Sequence, residues 1–265
     1  MDLNLKNRRA VVTGSTGGIG YAAARELAGM GATVAINGRT KGRVDAAIAK
    51  LKGEVKGGTF IAAPGDLKTA QGANDVIAAV PNADILVNNA GIFEPKPFFE
   101  IPDEDWMLFF ETNVLSGVRL ARHYTPLMVK RGWGRVVFIS SESGLHIPTE
   151  MVHYGMTKTA HIAIARGLAE TVSGTGVTVN SVLPGPTLSE GVSDFMSKMA
   201  GGATNPDLEK MGREFIRDHR STSLLGRMAT TEEVANMIAY VCSPASSATS
   251  GAALRVDGGV VRAIP

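Results

Sequence analysis

The chain has 265 residues and a formal net charge of +2; 44% of its residues are hydrophobic and 20% are charged. This composition is typical of a globular protein with a sizeable core, and the small charge gives no reason to expect nucleic acid as a partner. The single cysteine, Cys242, excludes an internal disulfide, and no apolar run reaches the ~18 residues of a membrane span. The first residues lack the features of a secretory signal. We therefore expect a soluble, cytoplasmic protein that binds neither nucleic acid nor membranes.

The first motif is a glycine-rich loop between a predicted strand and a predicted helix. The apolar run at residues 9–13 is followed by the loop Gly14-Ser15-Thr16-Gly17-Gly18-Ile19-Gly20, and a helical segment begins at Tyr21. In this context glycines let the backbone approach a pyrophosphate, and the helix N-terminus supplies amide donors. The loop therefore predicts nucleotide binding, with a glycine-rich turn that binds no ligand as the alternative.

The rest of the chain alternates between apolar strands and amphipathic helices. Strands are expected at residues 33–37, 59–62, 84–87, 136–139, 176–182 and 252–256. Strands this continuously apolar are buried on both faces, as in a parallel sheet covered by helices. We therefore expect one α/β domain over residues 1–265, with a long helix over about 103–130. An irregular segment over about 188–222 is expected to form a lid over the substrate site.

A candidate catalytic set lies at residues 140–158. Tyr154 and Lys158 are four residues apart, so a helix places both side chains on one face, one turn apart. An ammonium group there lowers the pKa of a phenol from its ordinary value of about 10 toward the range of a general acid–base. Ser141 follows an apolar strand and is placed to hold a carbonyl oxygen beside the phenol. Tyr-x-x-x-Lys alone is a short pattern that a surface helix also carries by chance.

Further motifs follow in chain order, and together they resemble the classical short-chain dehydrogenase/reductase family, in particular its 3-oxoacyl-carrier-protein-reductase-like members. The matching residues are Thr13-Gly14-x-x-x-Gly18-x-Gly20, Asp66-Leu67, Asn88-Asn89-Ala90-Gly91, Asn113, Ser141, Tyr154-x-x-x-Lys158 and Pro184-Gly185. The resemblance covers nearly the whole chain. It implies a single doubly wound Rossmann domain whose seven-stranded parallel sheet has the order 3-2-1-4-5-6-7. It also implies a homotetramer or homodimer.

The same resemblance implies an NAD(P)-dependent oxidoreductase that interconverts a small-molecule ketone and a secondary alcohol, without a metal. In such an enzyme Tyr154 would be the acid–base, and Lys158 would lower its pKa and bind the nicotinamide ribose. Ser141 would orient the substrate carbonyl, and Asn113 would hold a water molecule of a proton relay.

The resemblance also assigns residues to the cofactor. Those expected around the pyrophosphate are Gly14, Ser15, Thr16, Gly18, Ile19 and Gly20. Asp66 and Leu67 would lie at the adenine and Asn89 near the adenosine ribose. Thr187 would contact the carboxamide through its backbone.

The choice of coenzyme is predicted from the end of the second strand. An NAD-preferring domain carries Asp or Glu about 20 residues past the glycine loop, whereas this chain has Asn37 and Gly38 there. The next residue, Arg39, can pair with the 2′-phosphate of NADP, with Asn37 or Thr40 assisting. The sequence therefore predicts NADP rather than NAD as the preferred cofactor. A solvated basic edge that binds no ligand is the alternative.

Two other functions stay open on the sequence alone. One is a non-catalytic nucleotide-binding or scaffold protein, because a fold does not fix a function. The other is an enzyme that uses the cofactor for isomerisation or dehydration without net redox. The intact set of Ser141, Tyr154 and Lys158 favours the oxidoreductase.

Overall fold

A parallel sheet of seven strands forms the centre of the protein, of which the computed structural model describes residues 3–193 and 207–264. Its strands are β1 Arg9–Val12, β2 Thr33–Ile36, β3 Thr59–Ala62, β4 Ile85–Asn88, β5 Gly134–Ile139, β6 Val177–Pro184 and β9 Ala253–Val256. A separate pair consists of β7, Thr187–Leu188, and β8, Ala229–Thr230.

The strands of the main sheet follow the order β3-β2-β1-β4-β5-β6-β9. Counted within this sheet alone, the order is 3-2-1-4-5-6-7, so the predicted fold class is confirmed. β1 pairs with β2 on one side and with β4 on the other; Val11 lies beside Ala35 and Leu86. The order of the strands reverses at this point, and the carboxyl ends of the strands there form the crevice in which such sheets bind ligands.

Helices cover both faces of the sheet, as strands this apolar require. They are α1 Gly18–Gly29, α2 Lys41–Glu54, α3 Ala70–Ala79, α4 Asp103–Phe109, α5 Ser116–Arg131, α6 Val152–Thr171, α7 Leu208–His219 and α8 Thr231–Cys242. On one face α1, α2 and α8 pack against the strands, with Leu27 and Ile238 in the core. On the other face α3, α5 and α6 form a second core, which contains Tyr124. None of the described helices is long and apolar enough to cross a membrane.

The long helix expected over residues 103–130 is interrupted. α4 ends at Phe109, the residues Phe110–Leu115 form a π-helical turn, and α5 begins at Ser116. Asn113 lies in this turn, where its side chain binds the backbone of Ile92 at both the N–H and the carbonyl (2.8 and 3.0 Å). Insertions of this kind occur often at functional sites, and apolar periodicity does not report them.

Part of the predicted lid, residues 194–206, lies outside the described residues. Before these residues the chain forms β7, which pairs with β8. After them it forms α7, whose Ile216 packs against Met228. α7 ends at His219, so Arg220 follows directly and reaches the cavity described below.

Candidate active site

The glycine loop is held in place by Asn37 at the end of β2. The Asn37 Oδ1 accepts a hydrogen bond from the Gly14 N–H (3.1 Å). Its amide nitrogen donates to the carbonyls of Ala63 (2.9 Å) and Gly65 (3.2 Å), which follow β3. Asn37 is 2% exposed and joins three segments of the chain. Its side chain therefore shapes the loop, and both hydrogens of its amide are already donated to protein carbonyls.

Ser15 is engaged in the same way. Its hydroxyl donates to the Val12 carbonyl (2.7 Å) and accepts the Asn37 N–H (3.0 Å). Its own N–H donates to the Asn37 carbonyl (2.9 Å). Because these groups are occupied and the side chain is fully buried, Ser15 fixes the shape of the loop and offers no free donor to a pyrophosphate.

The first turn of α1 offers the free donors that a pyrophosphate requires. The N–H groups of a first turn have no partner within the helix, and here they belong to Gly18, Ile19 and Gly20. A Cβ atom on Gly20 would lie 2.5 Å from both the Gly14 carbonyl oxygen and the Asn89 amide nitrogen. The close approach of loop and helix is therefore possible only with glycine at this position. Among the residues predicted to surround the pyrophosphate, those of this turn are therefore best suited to bind it.

The residues expected at the adenosine lie along the same crevice. Asp66 is half-buried, and its Oδ1 accepts a backbone N–H two residues further on (3.2 Å). Leu67 is 5% exposed, and its side chain packs in the second core. The Asn89 side chain donates to the carbonyls of Thr13 (2.9 Å) and Gly14 (3.1 Å). Asn89 also lines the cavity that joins the catalytic residues, described below.

Arg39 and Thr40 are available at the end of β2. Arg39 is exposed, and it forms no ion pair with the residues that the structure describes. Thr40 precedes α2, and its side chain caps no N–H of that helix. Thr16 lies against Gly38 so closely that a Cβ atom there would be 2.5 Å from the Thr16 methyl group. An acidic residue at position 38, near where NAD-preferring domains carry one, would therefore require the Thr16 side chain to move.

The candidate catalytic residues meet at one end of the sheet. Tyr154 and Lys158 lie one turn apart on α6, and the Lys158 ammonium is 5.5 Å from the centre of the Tyr154 ring. Ser141 lies two residues after the end of β5, and its hydroxyl is close enough to the phenol to lower the pKa of Tyr154. The Lys158 Nζ donates to the Ile139 carbonyl (2.9 Å). The structure thus brings together the three side chains that the sequence spacing predicted.

The pKa values of this pair differ from the sequence-based expectation. Burial raises the pKa of Tyr154 to about 12, with the Ser141 hydrogen bond opposing the rise. Burial also lowers the pKa of Lys158 to about 8. The expected lowering of the tyrosine pKa by Lys158 is therefore absent in this structure. The reason is that desolvation of the phenol dominates while the ammonium is directed to the Ile139 carbonyl.

Asn113 is buried beside this pair with its amide fully engaged. Besides its two contacts with Ile92, its amide nitrogen donates to the Thr157 hydroxyl (3.0 Å). The backbone carbonyl of Asn113 faces the Nε2 of His161 (2.5 Å). The Nδ1 of His161 faces the Ile139 carbonyl (3.2 Å). Burial first, and then the charge of the neighbouring lysine, lowers the pKa of His161 to about 3. A water molecule bound to Asn113 would therefore have to donate a hydrogen bond to the second lone pair of Oδ1 or of the backbone carbonyl oxygen.

A cavity of about 500 Å³ joins these groups. The predicted residues that line it are Gly18, Ile19, Asn89, Ser141, Tyr154, Lys158 and Thr187. The Thr187 hydroxyl donates to the Gly185 carbonyl (2.9 Å), and its backbone carbonyl accepts the Ser189 N–H (2.9 Å). The predicted backbone contact with the carboxamide therefore falls to the Thr187 N–H. No cluster of metal-ligating side chains occurs among residues 3–193 and 207–264.

Sequence reasoning missed a charged group that also lines this cavity. The Arg220 Nε donates to the Glu142 Oε1 (2.9 Å), and both its terminal nitrogens lie 3.4 Å from Glu150. Arg220 and Glu142 are buried. Glu142 and Arg220 are 78 positions apart in the chain, so no local motif connects them.

The comparisons with known proteins agree on one family. The short chain dehydrogenase family matches residues 8–200. The uncharacterized oxidoreductase YvaG of Bacillus subtilis is 46% identical over 264 residues, covering 100% of both chains. The 3-oxoacyl-[acyl-carrier-protein] reductase FabG of Aquifex aeolicus is 31% identical over 263 residues, covering 98% of this chain and 100% of the relative. The solved L-sorbose reductase of Gluconobacter frateurii, complexed with NADPH and L-sorbose, has a TM-score of 0.93 at 29% identity and covers 100% of both chains.

A parallel sheet with a glycine loop at its switch point defines a class of nucleotide-binding Rossmann proteins. Within that class, this chain belongs to the short-chain dehydrogenase family. It is an oxidoreductase that acts on CH–OH groups of small molecules.

Proposed function

We propose that the protein is an NADP(H)-dependent oxidoreductase that interconverts a ketone and a secondary alcohol. The observation that carries this proposal is the meeting of Ser141, Tyr154 and Lys158 in one cavity that extends to the glycine loop at Gly18 and Ile19. A nucleotide whose pyrophosphate lies on the first turn of α1 can reach the catalytic end of that cavity. The nucleotide-binding and the proton-donating parts of the site are therefore continuous.

A cofactor bound on the first turn of α1 would supply the hydride that a carbonyl carbon needs in the reductive direction. The Ser141 hydroxyl donates a hydrogen bond to the carbonyl oxygen and holds it beside the phenol of Tyr154. As the carbon gains the hydride, the oxygen takes the phenolic proton, and the product is a neutral alcohol. Lys158 stabilises the phenolate that forms, because an ammonium group in a buried site interacts strongly with an anion. The oxidative direction reverses each step.

Tyr154→Phe tests the role of the phenol. The change removes only the hydroxyl, so turnover with NADPH and the best ketone of a graded panel should fall by about 10²–10⁴-fold. Binding of NADPH, followed by its fluorescence, should be unchanged and serves as the control. A turnover within about threefold of the wild type would contradict the assignment. Consumption of cofactor in proportion to product separates an oxidoreductase from an isomerase or a scaffold protein.

The preference for NADP(H) rests on Arg39, which is exposed and unpaired among the described residues. The NADPH bound to the related L-sorbose reductase supports this choice. Arg39→Gln should lower the ratio of kcat/KM for NADPH to that for NADH by about ten- to hundredfold, as for other hydrogen bonds to charged groups. Lys52→Gln removes the same charge from the far end of α2 and should leave the ratio unchanged. A wild-type ratio below one would overturn the assignment.

The remaining features of this proposal follow the family resemblance. The protein assembles as a homotetramer or homodimer and works in the cytoplasm. Of the predicted lid, residues 188–193 and 207–222 are described, and they cover the substrate.

A further inference from the structure

His161 joins the two backbone segments that carry Asn113 and Ile139. It lies on α6, one turn beyond Lys158, and it is 1% exposed. Its Nε2 lies 2.5 Å from the Asn113 carbonyl oxygen, and its Nδ1 lies 3.2 Å from the Ile139 carbonyl oxygen. The Ile139 carbonyl also accepts a hydrogen bond from the Lys158 Nζ (2.9 Å). One carbonyl oxygen is therefore shared by the imidazole ring and the candidate catalytic lysine.

The ring of His161 is neutral in the range in which an enzyme works. Burial first, and then the charge of Lys158, lowers its pKa to about 3. A neutral imidazole carries a single N–H, whereas both of its nitrogens here face carbonyl oxygens, which only accept hydrogen bonds. One of the two carbonyls therefore faces a lone pair of the ring.

The two distances assign the hydrogen to Nε2. N–H···O hydrogen bonds span about 2.7–3.2 Å between the heavy atoms, so a contact of 2.5 Å with the Asn113 carbonyl requires a hydrogen between the two atoms. The lone pair of Nδ1 then faces the Ile139 carbonyl. Two electron-rich atoms repel each other by themselves, and here the ammonium group of Lys158 at the same oxygen offsets that repulsion.

Resting on the function proposed above, we propose that His161 is a positioning residue for proton transfer by Tyr154, because its Nδ1 favours the charged form of Lys158. Burial alone disfavours that charge. The charge of Lys158 acts on His161, whereas those of Glu142 and Arg220 act on Tyr154. A lysine that stabilises the phenolate must keep its proton, so His161 influences the reaction through Lys158 without touching the substrate.

The position of the hydrogen is measured on the wild-type protein. Long-range ¹H–¹⁵N spectra of protein labelled at histidine distinguish a ring nitrogen that carries a hydrogen from one that does not. The signals of His161 are identified by their loss in His161→Gln. We expect a neutral ring with the hydrogen on Nε2, unchanged between about pH 6 and pH 9. A hydrogen on Nδ1 would overturn the inference, because His161 would then compete with Lys158 for the Ile139 carbonyl.

The effect on the reaction is measured as the pH dependence of kcat for reduction of a ketone by NADPH. His161→Phe keeps an aromatic ring and removes both nitrogens. The fall of kcat with rising pH should then move to lower pH by about 0.5–1 unit, as the loss of one net hydrogen bond predicts. The reason is that Lys158 loses its proton more readily when Nδ1 is absent.

His161→Gln is the conservative variant that should restore the wild-type profile. Its amide carries an acceptor and a donor on one carbon, at the spacing of Nδ1 and Nε2, so the midpoint should stay within about 0.3 unit of the wild type. Thr157→Val is the matched control. The Thr157 hydroxyl accepts a hydrogen bond from the Asn113 amide (3.0 Å), so its loss should lower the thermal stability without moving the midpoint.

The remaining outcomes separate this inference from a structural role and from the proposed function. A uniform loss of kcat at every pH in His161→Phe would make His161 only a packing residue. An equal shift in Thr157→Val would assign the effect to Asn113. If His161→Phe does not fold, His161→Met takes its place, because methionine adapts to irregular space. If ketones are reduced and no variant shifts the profile, this inference fails and the proposed oxidoreductase stands. If no ketone oxidises the cofactor, both are wrong.

Discussion

Asn37→Asp is the most informative single change for the nucleotide site, because an acid near this position is how NAD-preferring domains bind the ribose. In this protein the amide of Asn37 donates to the carbonyls of Ala63 and Gly65. A carboxylate cannot donate, so both buried carbonyls would lose their donor and face a negative charge. Each buried acceptor left without a partner costs about 1–3 kcal/mol, so the two together cost at least about 2 kcal/mol.

The loss should appear as a lower thermal stability without cofactor. For a protein of this size 1 kcal/mol corresponds to roughly 2–4 °C in Tm, so a fall of at least about 4–8 °C is expected in scanning fluorimetry. The penalty should be larger at pH 8 than at pH 5. The reason is that the carbonyls favour the protonated acid, so the pKa of the introduced carboxyl group is raised in the fold and ionisation then costs stability as the pH rises.

The matched control is Asn82→Asp, the same chemical change at an exposed residue. It should change stability by no more than about 0.5 kcal/mol. If Asn37→Asp unfolds within about 2 °C of this control, the network around Asn37 does not hold the loop and the reasoning is refuted. A stable Asn37→Asp variant that prefers NADH would also show that the position is open to a ribose.

Two further predictions concern Lys158 and α8. The pKa of Lys158 is lowered to about 8 from its ordinary value of 10.5, so the unfolded chain binds more protons between these values and the stability from this group rises with pH. Lys158→Met removes the penalty, so its gain in denaturant stability over wild type should be largest below pH 8 and smaller at pH 9.5, while its turnover falls at both. The Thr230 hydroxyl accepts the Glu233 N–H (3.2 Å) in a capping box, so Thr230→Ala should lower the free energy of unfolding by about 1 kcal/mol without changing turnover.

The strands and the meeting of Ser141, Tyr154 and Lys158 could be predicted from sequence because each rests on a local signal, whereas the sheet order followed from the family resemblance. Apolar runs report strands that are buried on both faces. A spacing of four residues reports a shared face of a helix. The end of β5 then places Ser141 opposite that face, since parallel strands end at one edge.

What the sequence could not show depends on partners that are distant along the chain. The position of Asn37 after β2 suggests a ligand for a phosphate, but its partners follow β3 and lie in the glycine loop. Arg220 and Glu142 have no common motif, and only the packing of α7 brings them together. The π-helical turn at Asn113 likewise keeps the apolar periodicity of an uninterrupted helix. Periodicity reports which residues are buried and carries no information on what they bind.

The state of Tyr154 and Lys158 shows why spacing alone does not establish an activated acid. Burial acts on both groups in the same sense, since it disfavours the phenolate and the ammonium alike. The same low polarity strengthens the attraction between the two charges once they are brought close. Lys158 donates to the Ile139 carbonyl, which competes with the phenol for its protons. Burial therefore sets the acid strength of Tyr154 in this structure. Lys158, one turn away on α6, lowers that pKa only when its ammonium group turns from the Ile139 carbonyl to the phenol.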